Sequence, residues 1–242
     1  KVDQLSKPSA HLAAHTEAKE DTFTLFNYDS DWRGNNNWDN IYFYKITPAA
    51  YYSVVEDDRY YYIGYYFYYP RWGVRIRNDN QFTGVLLAVK KSHKGYGQLD
   101  RMVFYNNRDW QSAKGIYEGT YGNVRIKIAA GSHQLSMQSN NKLSKREGIL
   151  LRPEALLAKG SPSELTSGYK LVSMNELWNR RNEIKEGQKY QLSSGDNNKC
   201  SSLPWDWQHR GINWLSDPKA FFAALGKVPQ SSSRYIVNPY QE

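Results

Sequence analysis

The chain is predicted to be mostly β, a β-sandwich with a few peripheral α-helices gathered in the C-terminal third. Three observations predict this. Tyr, Val and Ile crowd into residues 50–69, the apolar runs that follow are short and bounded by Gly- or Asx-rich turns, and stretches of helical period appear only after about residue 150. In chain order, residues 1–22 mix Lys, Ser, Ala and acidic side chains without a clear period. They read as a flexible N-terminal arm, or as a short helix at 10–20. A single β-sandwich domain is expected over 23–242. Residues 29–40 (DSDWRGNNNWDN) should form an irregular loop, because Asp and Asn bond to their own backbone and tolerate left-handed conformations. Residues 41–46 then read as a strand. Residues 50–56 and 59–69 are expected to form a hairpin closed by Asp57-Asp58.

Strict alternation in the second of these strands puts Tyr60, Tyr62, Gly64, Tyr66 and Tyr68 on one face. Tyr61, Ile63, Tyr65, Phe67 and Tyr69 then occupy the other. Both faces are apolar, as in a central strand of a layered fold. Pro70 should end the strand, since it removes a ladder donor. A second hairpin is expected from 84–91 and 99–105 around the basic, Gly-rich turn 92–98, and a half-exposed strand from 123–130. Helices are predicted at 153–158, 174–184 and 216–225, the last with Ser216 as N-cap and Pro218 in its first turn. Residues 189–193 and 234–237 would add edge strands.

Composition narrows the class. The 242 residues are 40% hydrophobic and 23% charged, enough apolar area for a substantial core, and the one cysteine, Cys200, has no internal partner for a disulfide. No run approaches the roughly 20 apolar residues of a membrane-spanning helix. The chain starts at Lys1 rather than Met, which fits removal of a signal peptide or a start set by numbering alone. Secretion or an extracellular site, periplasm included, is the expectation. The net charge of +8 favours anionic partners such as lipid headgroups or acidic glycans. The cations are spread evenly and no nucleic-acid recognition motif is found, which argues against nucleic acid. A monomer is expected.

No phosphate loop, paired-cysteine zinc site, HExxH or Gly-x-Ser-x-Gly motif occurs. His11 and His15 would pair on a metal only if their i,i+4 spacing fell on a stable helix. Asp29, Asp31, Asp39 and Asn40, with Asp79 in a second Asx-rich loop at 78–81, supply the hard oxygens that Ca²⁺ or Mg²⁺ prefers. The candidate metal ligands are Asp31, Asp39 and Asp79. The alternative is that these loops merely satisfy their own backbone. His133, following a strand and a glycine, is a candidate catalytic base or a structural hydrogen-bonder. Trp32, Trp38, Trp72 and Trp110 are candidate binding residues, able to stack on sugar rings or sit at a lipid interface, whereas the strand tyrosines are expected in the core.

Residues 39–46 (DNIYFYKI), 49–73 (AAYYSVVEDDRYYYIGYYFYYPRWG) and 78–91 (NDNQFTGVLLAVKK) resemble the opening of a Vps62-like family. That family is similar to the necrosis-inducing cytolysins known as NEP1-like proteins. Residues 202–225 (SLPWDWQHRGINWLSDPKAFFAAL) resemble their C-terminal end, where a Trp/Gly loop leads into a terminal helix. The resemblance implies a β-sandwich and a divalent-metal site ahead of the Val-Leu-rich strand. That segment here reads NDNQFTG (78–84), in which only Asp79 carries a charge. The turn at 130–133 resembles a Gly-His turn with one inserted Ser. Two functions follow: a secreted, toxin-like or surface-binding protein that recognises an anionic or glycosylated membrane surface, and a metal-dependent hydrolase built on the loop carboxylates and His133.

Overall fold

The structure, a computed structural model, describes residues 9–12, 19–72, 78–92, 97–106, 109–113, 125–137, 149–153, 166–184, 203–226 and 234–241. Among the described residues, the ten strands of the main sheet are β1 (Ser9–Leu12), β2 (Ala49–Glu56), β3 (Tyr60–Trp72), β4 (Asn78–Lys90), β5 (Gln98–Asn106), β6 (Asp109–Ser112), β7 (Arg125–Ile128), β8 (Leu135–Met137), β9 (Ile149–Pro153) and β10 (Thr166–Ser173). They join in the order β6-β5-β4-β3-β2-β10-β9-β1-β7-β8. The strand β10 is where this sheet divides into two layers. Its first half pairs with β9, Thr166 to Leu150 through Tyr169 to Pro153, and its second half with β2, Lys170 to Ala49 through Ser173 to Tyr52. One chain segment thus belongs to both layers, so the chain is mostly β and sandwich-like, as the alternation predicted.

Strand β3 is apolar on both faces because it has packing on both. Ile63, Tyr65, Phe67 and Tyr69 meet Ile126, Ile128, Leu135 and Tyr169 from the second layer. Tyr62, Tyr66 and Tyr68 meet Leu203, Trp207, Trp214, Phe221 and Phe222 from the C-terminal region. Each such side chain, fully buried, contributes roughly 1.5–3 kcal/mol. A buried tyrosine also needs a partner for its hydroxyl, and among the described residues the fold supplies one to Tyr62, Tyr66 and Tyr68 but not to Tyr69. Tyr66 shares a 2.7 Å hydrogen bond with Ser53, Tyr68 donates to Asn80 at 2.6 Å, and Tyr62 donates to Asp57 at 3.2 Å.

Several sequence expectations change. The first hairpin forms, but Asp57 N–H donates to Tyr60 O, so the two central residues are Asp58-Arg59 rather than Asp57-Asp58. The Asp57 carboxylate accepts from the N–H groups of Arg59 and Tyr60, which sets that turn. Pro70 does not end β3, which runs on to pair Arg71 with Asp79 and Trp72 with Asn78. Pairing with β2 has stopped by Tyr66, so the missing N–H costs no ladder bond on that side. Correspondingly, 78–81 is no loop but the first four residues of β4.

Residues 9–12, inside the expected arm or helix, form a strand parallel to β7 and antiparallel to β9. His11 lies on that strand, where helical spacing does not apply, and His15 lies outside the described residues. The expected strand 41–46 is instead a continuation of helix α1 (Asn37–Asn40) as turns, with Ile41 N–H donating to Trp38 O and Phe43 N–H to Asn40 O. The helix expected at 174–184 includes α2 (Asn175–Asn179), and the last helix is α3 (Pro218–Ala224). Asp217, not Ser216, caps α3, its side chain accepting from Ala220 N–H. Pro153 closes β9, and the rest of the helix expected at 153–158 lies outside the described residues, as do 189–193 and Cys200. Of 234–237, Val237 makes a single bridge to Glu56.

Candidate functional site

His133 sits in the hairpin between β7 and β8, in the left-handed region at φ +52°, a conformation that histidine tolerates better than most residues. Its ring lies flat on Tyr69, centroids 3.7 Å apart, with Nδ1 2.5 Å from Gln81 Oε1 and Nε2 3.1 Å from Asp21 Oδ1. The residue is 2% exposed. Burial pushes the imidazole below its ordinary range, against the pull of the hydrogen bond and charge of Asp21. Burial also acts against the Asp21 charge, but hydrogen bonds from His133 and from Gly131 N–H hold that carboxyl below its usual value. Both ring nitrogens face protein partners. Of the two roles expected for His133, this geometry is that of the structural hydrogen-bonder: it fastens the β7–β8 turn to β4 and to the segment before Phe23.

The three candidate metal ligands have other partners or face solvent. Asp31 accepts from Arg33 N–H at 2.7 Å, closing its own turn. Asp39 is exposed on α1. Asp79 pairs with Arg71 at 2.7 Å, and the Arg71 guanidinium lies 3.8 Å above the Trp38 ring. Among the described residues, no three His, Cys, Asp or Glu side chains gather in a way that would hold a metal ion. The neighbouring Asp29 binds Asn40 Nδ2 at 2.7 Å, so this carboxylate ties the Asx-rich loop to the helix that follows it.

The tryptophans separate into two kinds. Trp110 stacks on Trp214 at 4.8 Å, meets Tyr105 and Phe221, and donates its Nε1–H to Gln208 O at 3.1 Å. In this structure it is a packing residue. Trp32 also packs against the core, with Arg180 5.4 Å from its ring. Trp38 is half-buried and lies edge-on to Tyr42 at 6.4 Å. Trp72 ends β3, and its side chain lies outside the described residues.

The residues that the sequence reading missed follow Trp38 directly. Tyr42, Phe43 and Tyr44 are 64%, 83% and 39% exposed, whereas Ile41 beside them is fully buried. Lys19 holds this turn in place: its Nζ donates to the carbonyls of Ile41, Tyr42 and Tyr44 at 3.2, 3.3 and 3.2 Å. Tyr42 donates its hydroxyl to Glu20 at 2.6 Å, and Tyr44 meets Tyr28 edge-on. A signal was present in the run Tyr-Phe-Tyr, since three consecutive aromatics cannot all point to one face of a strand. The arrangement can offer an apolar ring to a partner, two phenol rings beside it, and positive charge from Lys45, which is exposed on the same turn.

Neither a protein-family model nor a curated protein sequence matches the chain, so the Vps62-like part of the resemblance has no family model behind it. The solved structures it is similar to include NEP1-like proteins. NLPPya in complex with glucosamine is 10% identical, with 93% of this chain and 87% of that chain covered and a TM-score of 0.42. NLPPya in complex with mannosamine is 10% identical, covering 76% and 69%, with a TM-score of 0.37. Necrosis and Ethylene inducing Protein 2 from the causal agent of cocoa's Witches Broom disease is 14% identical, covering 75% and 80%, with a TM-score of 0.37.

Proposed function

We propose that this chain is a secreted, toxin-like surface-binding protein that meets an anionic or glycosylated membrane surface through the turn Tyr42–Phe43–Tyr44. The observation that carries this reading is the exposure of three successive aromatic side chains on a turn held in place by side-chain hydrogen bonds. Phe43 has no polar atom to satisfy in water, and its burial against a partner would contribute roughly 1.5–3 kcal/mol. Tyr42 and Tyr44 combine an apolar ring with a hydroxyl, the combination that suits both a headgroup layer and a sugar face. The net charge of +8 gives long-range attraction to an anionic surface, which salt weakens. The resemblance of the tyrosine-rich segments to a Vps62-like family, itself similar to NEP1-like proteins, together with that of residues 202–225, is the ground for the secreted, toxin-like part of the reading.

Co-sedimentation with phosphatidylserine-containing vesicles, and with beads carrying glucosamine or mannosamine, tests it at low and high salt. Wild-type protein is expected to bind at least one of these surfaces, more weakly as salt rises on the anionic one. Phe43→Ser should weaken binding about tenfold or more, the loss of one buried aromatic ring. Absence of binding to every surface at low salt would refute the reading.

A further inference from the structure

We infer that the 3-10 turn Lys19–Asp21 is a positioning clamp for the aromatic turn, with Lys19 as the residue that sets its shape. Its mechanical part stands on geometry alone, and its consequence for binding rests on the surface-binding reading above. An ammonium group has three donors, and Lys19 directs them to three carbonyls that follow the end of α1. Of these, Ile41 is the C-cap of α1 and the other two follow it, and a cation is favoured beside a helix C-terminus. Glu20 adds the 2.6 Å bond from the Tyr42 hydroxyl.

The opposite side of the same turn is anchored in the interior. Asp21 accepts from Gly131 N–H at 2.6 Å and from buried His133, and two residues on, Phe23 is fully buried against Phe67. Just beyond, Thr24 Oγ1 donates to Thr47 O and Ala49 N–H donates to Phe23 O, so residues 19–24 run beside 41–49 and grip it at both ends. Three consecutive side chains therefore connect the core to the exposed rings. A turn of eight or nine residues held at both ends presents Phe43 in a defined direction, and preorganisation of this kind lowers the ordering cost of binding.

Amide hydrogen exchange reads the clamp directly. The Phe43 and Tyr44 N–H groups both donate to Asn40 O and are its reporters, whereas Thr24 N–H, bonded to Tyr68 O, reports on the core. In Lys19→Met, exchange at Phe43 and Tyr44 is expected to rise about tenfold, as for loss of a hydrogen bond to a charged group, with Thr24 unchanged. Lys19→Arg should restore slow exchange. Lys45→Met, which removes the same charge from the same turn, should leave exchange as in the wild type. Unchanged exchange in Lys19→Met would overturn the clamp. A variant too unstable to read is replaced by Glu20→Ala, for which faster exchange at Phe43 supports the clamp and unchanged exchange overturns it.

The vesicle and amino-sugar assays then separate the two readings. If wild-type protein binds a surface, Lys19→Met should bind it more weakly than Lys45→Met does, with Lys19→Arg restored. Equal binding by Lys19→Met and Lys45→Met would overturn the positioning role. If wild-type protein binds nothing, the surface-binding reading fails while the exchange result still decides the clamp.

Discussion

Strand β3 and the turn after α1 are made of the same residue types and meet opposite fates. In β3, Tyr66, Phe67, Tyr68 and Tyr69 are at most 1% exposed, whereas Tyr42, Phe43 and Tyr44 are 39% exposed or more. The difference lies in where each backbone finds its hydrogen bonds. In β3 the bonds go to β2 and β4, a ladder that sends alternate side chains into two different cores. After α1 they go back to Asn36, Trp38 and Asn40, so the chain stays in helical turns and only Ile41 of the run reaches the interior. Aromatic residues are thus no guide to burial until the hydrogen-bonding partner of their backbone is known.

The largest expected effect falls on the buried side of this contrast. Phe67→Ala, in the core facing the second layer, should cost about 3–5 kcal/mol in a urea or thermal unfolding experiment. Phe43→Ser should change stability by no more than about 0.5 kcal/mol. Comparable losses in the two variants would break the distinction between them. Next in size is Gly84→Ala. A Cβ there would lie 2.7 Å from the Trp207 ring and 2.9 Å from the Tyr65 carbonyl oxygen, and backbone cannot withdraw as a side chain can. The expected cost is about 1–3 kcal/mol, and a neutral result would mean that the C-terminal aromatic layer can withdraw from β4.

A smaller effect comes from pH and from His133, which ties the buried region to the clamp. Burial lowers its folded-state pKa, so the unfolded chain binds this proton more readily. The contribution of the neutral form is complete above the ordinary imidazole value of about 6.5 and is lost as pH falls below it towards the lower folded value. The slope cannot exceed about 1.4 kcal/mol per pH unit, the limit for one proton. Asp21 acts in a separate window: its lowered folded pKa adds stability above the ordinary carboxylate value of about 3.9, lost only on further acidification. Melting temperatures between pH 7.5 and 5 should therefore fall in the wild type and fall less in His133→Gln. A flat wild-type profile would show that His133 binds its proton equally well in the folded and unfolded chain.

Much of the fold was legible in the sequence because β periodicity is a local property. Alternation in Tyr60–Tyr69 predicted both faces of β3 correctly, and the short apolar runs predicted β4, β5 and β7. Errors arose where a neighbour overrides a local preference. Pro70 was expected to stop a strand, but β2 had already ended beside it. Residues 78–81 looked like a ligand-bearing loop, yet β3 continues past Pro70 and draws them into β4. The 41–46 run has strand-forming residues, yet Lys19, more than twenty residues earlier, caps the carbonyls of a helical turn there.

The candidate site was less legible for the same reason. Trp38 and Asp79 were singled out for binding and metal ligation, and the structure joins them through Arg71, which pairs with one and lies over the other. His133 was noticed as a lone histidine, but its partners Asp21 and Gln81 lie 112 and 52 residues away in the chain. No local pattern carries such a separation.

By itself the sequence determined a mostly β chain with a central two-faced strand, a net positive charge and a late helical segment, since alternation, composition and capping act over a few residues. The tertiary structure alone decided which aromatics are exposed, because exposure depends on whether a distant strand or a distant lysine takes up the backbone. It also decided that His133 is a buried fastener, because only packing brings partners distant in the chain to both nitrogens of one imidazole.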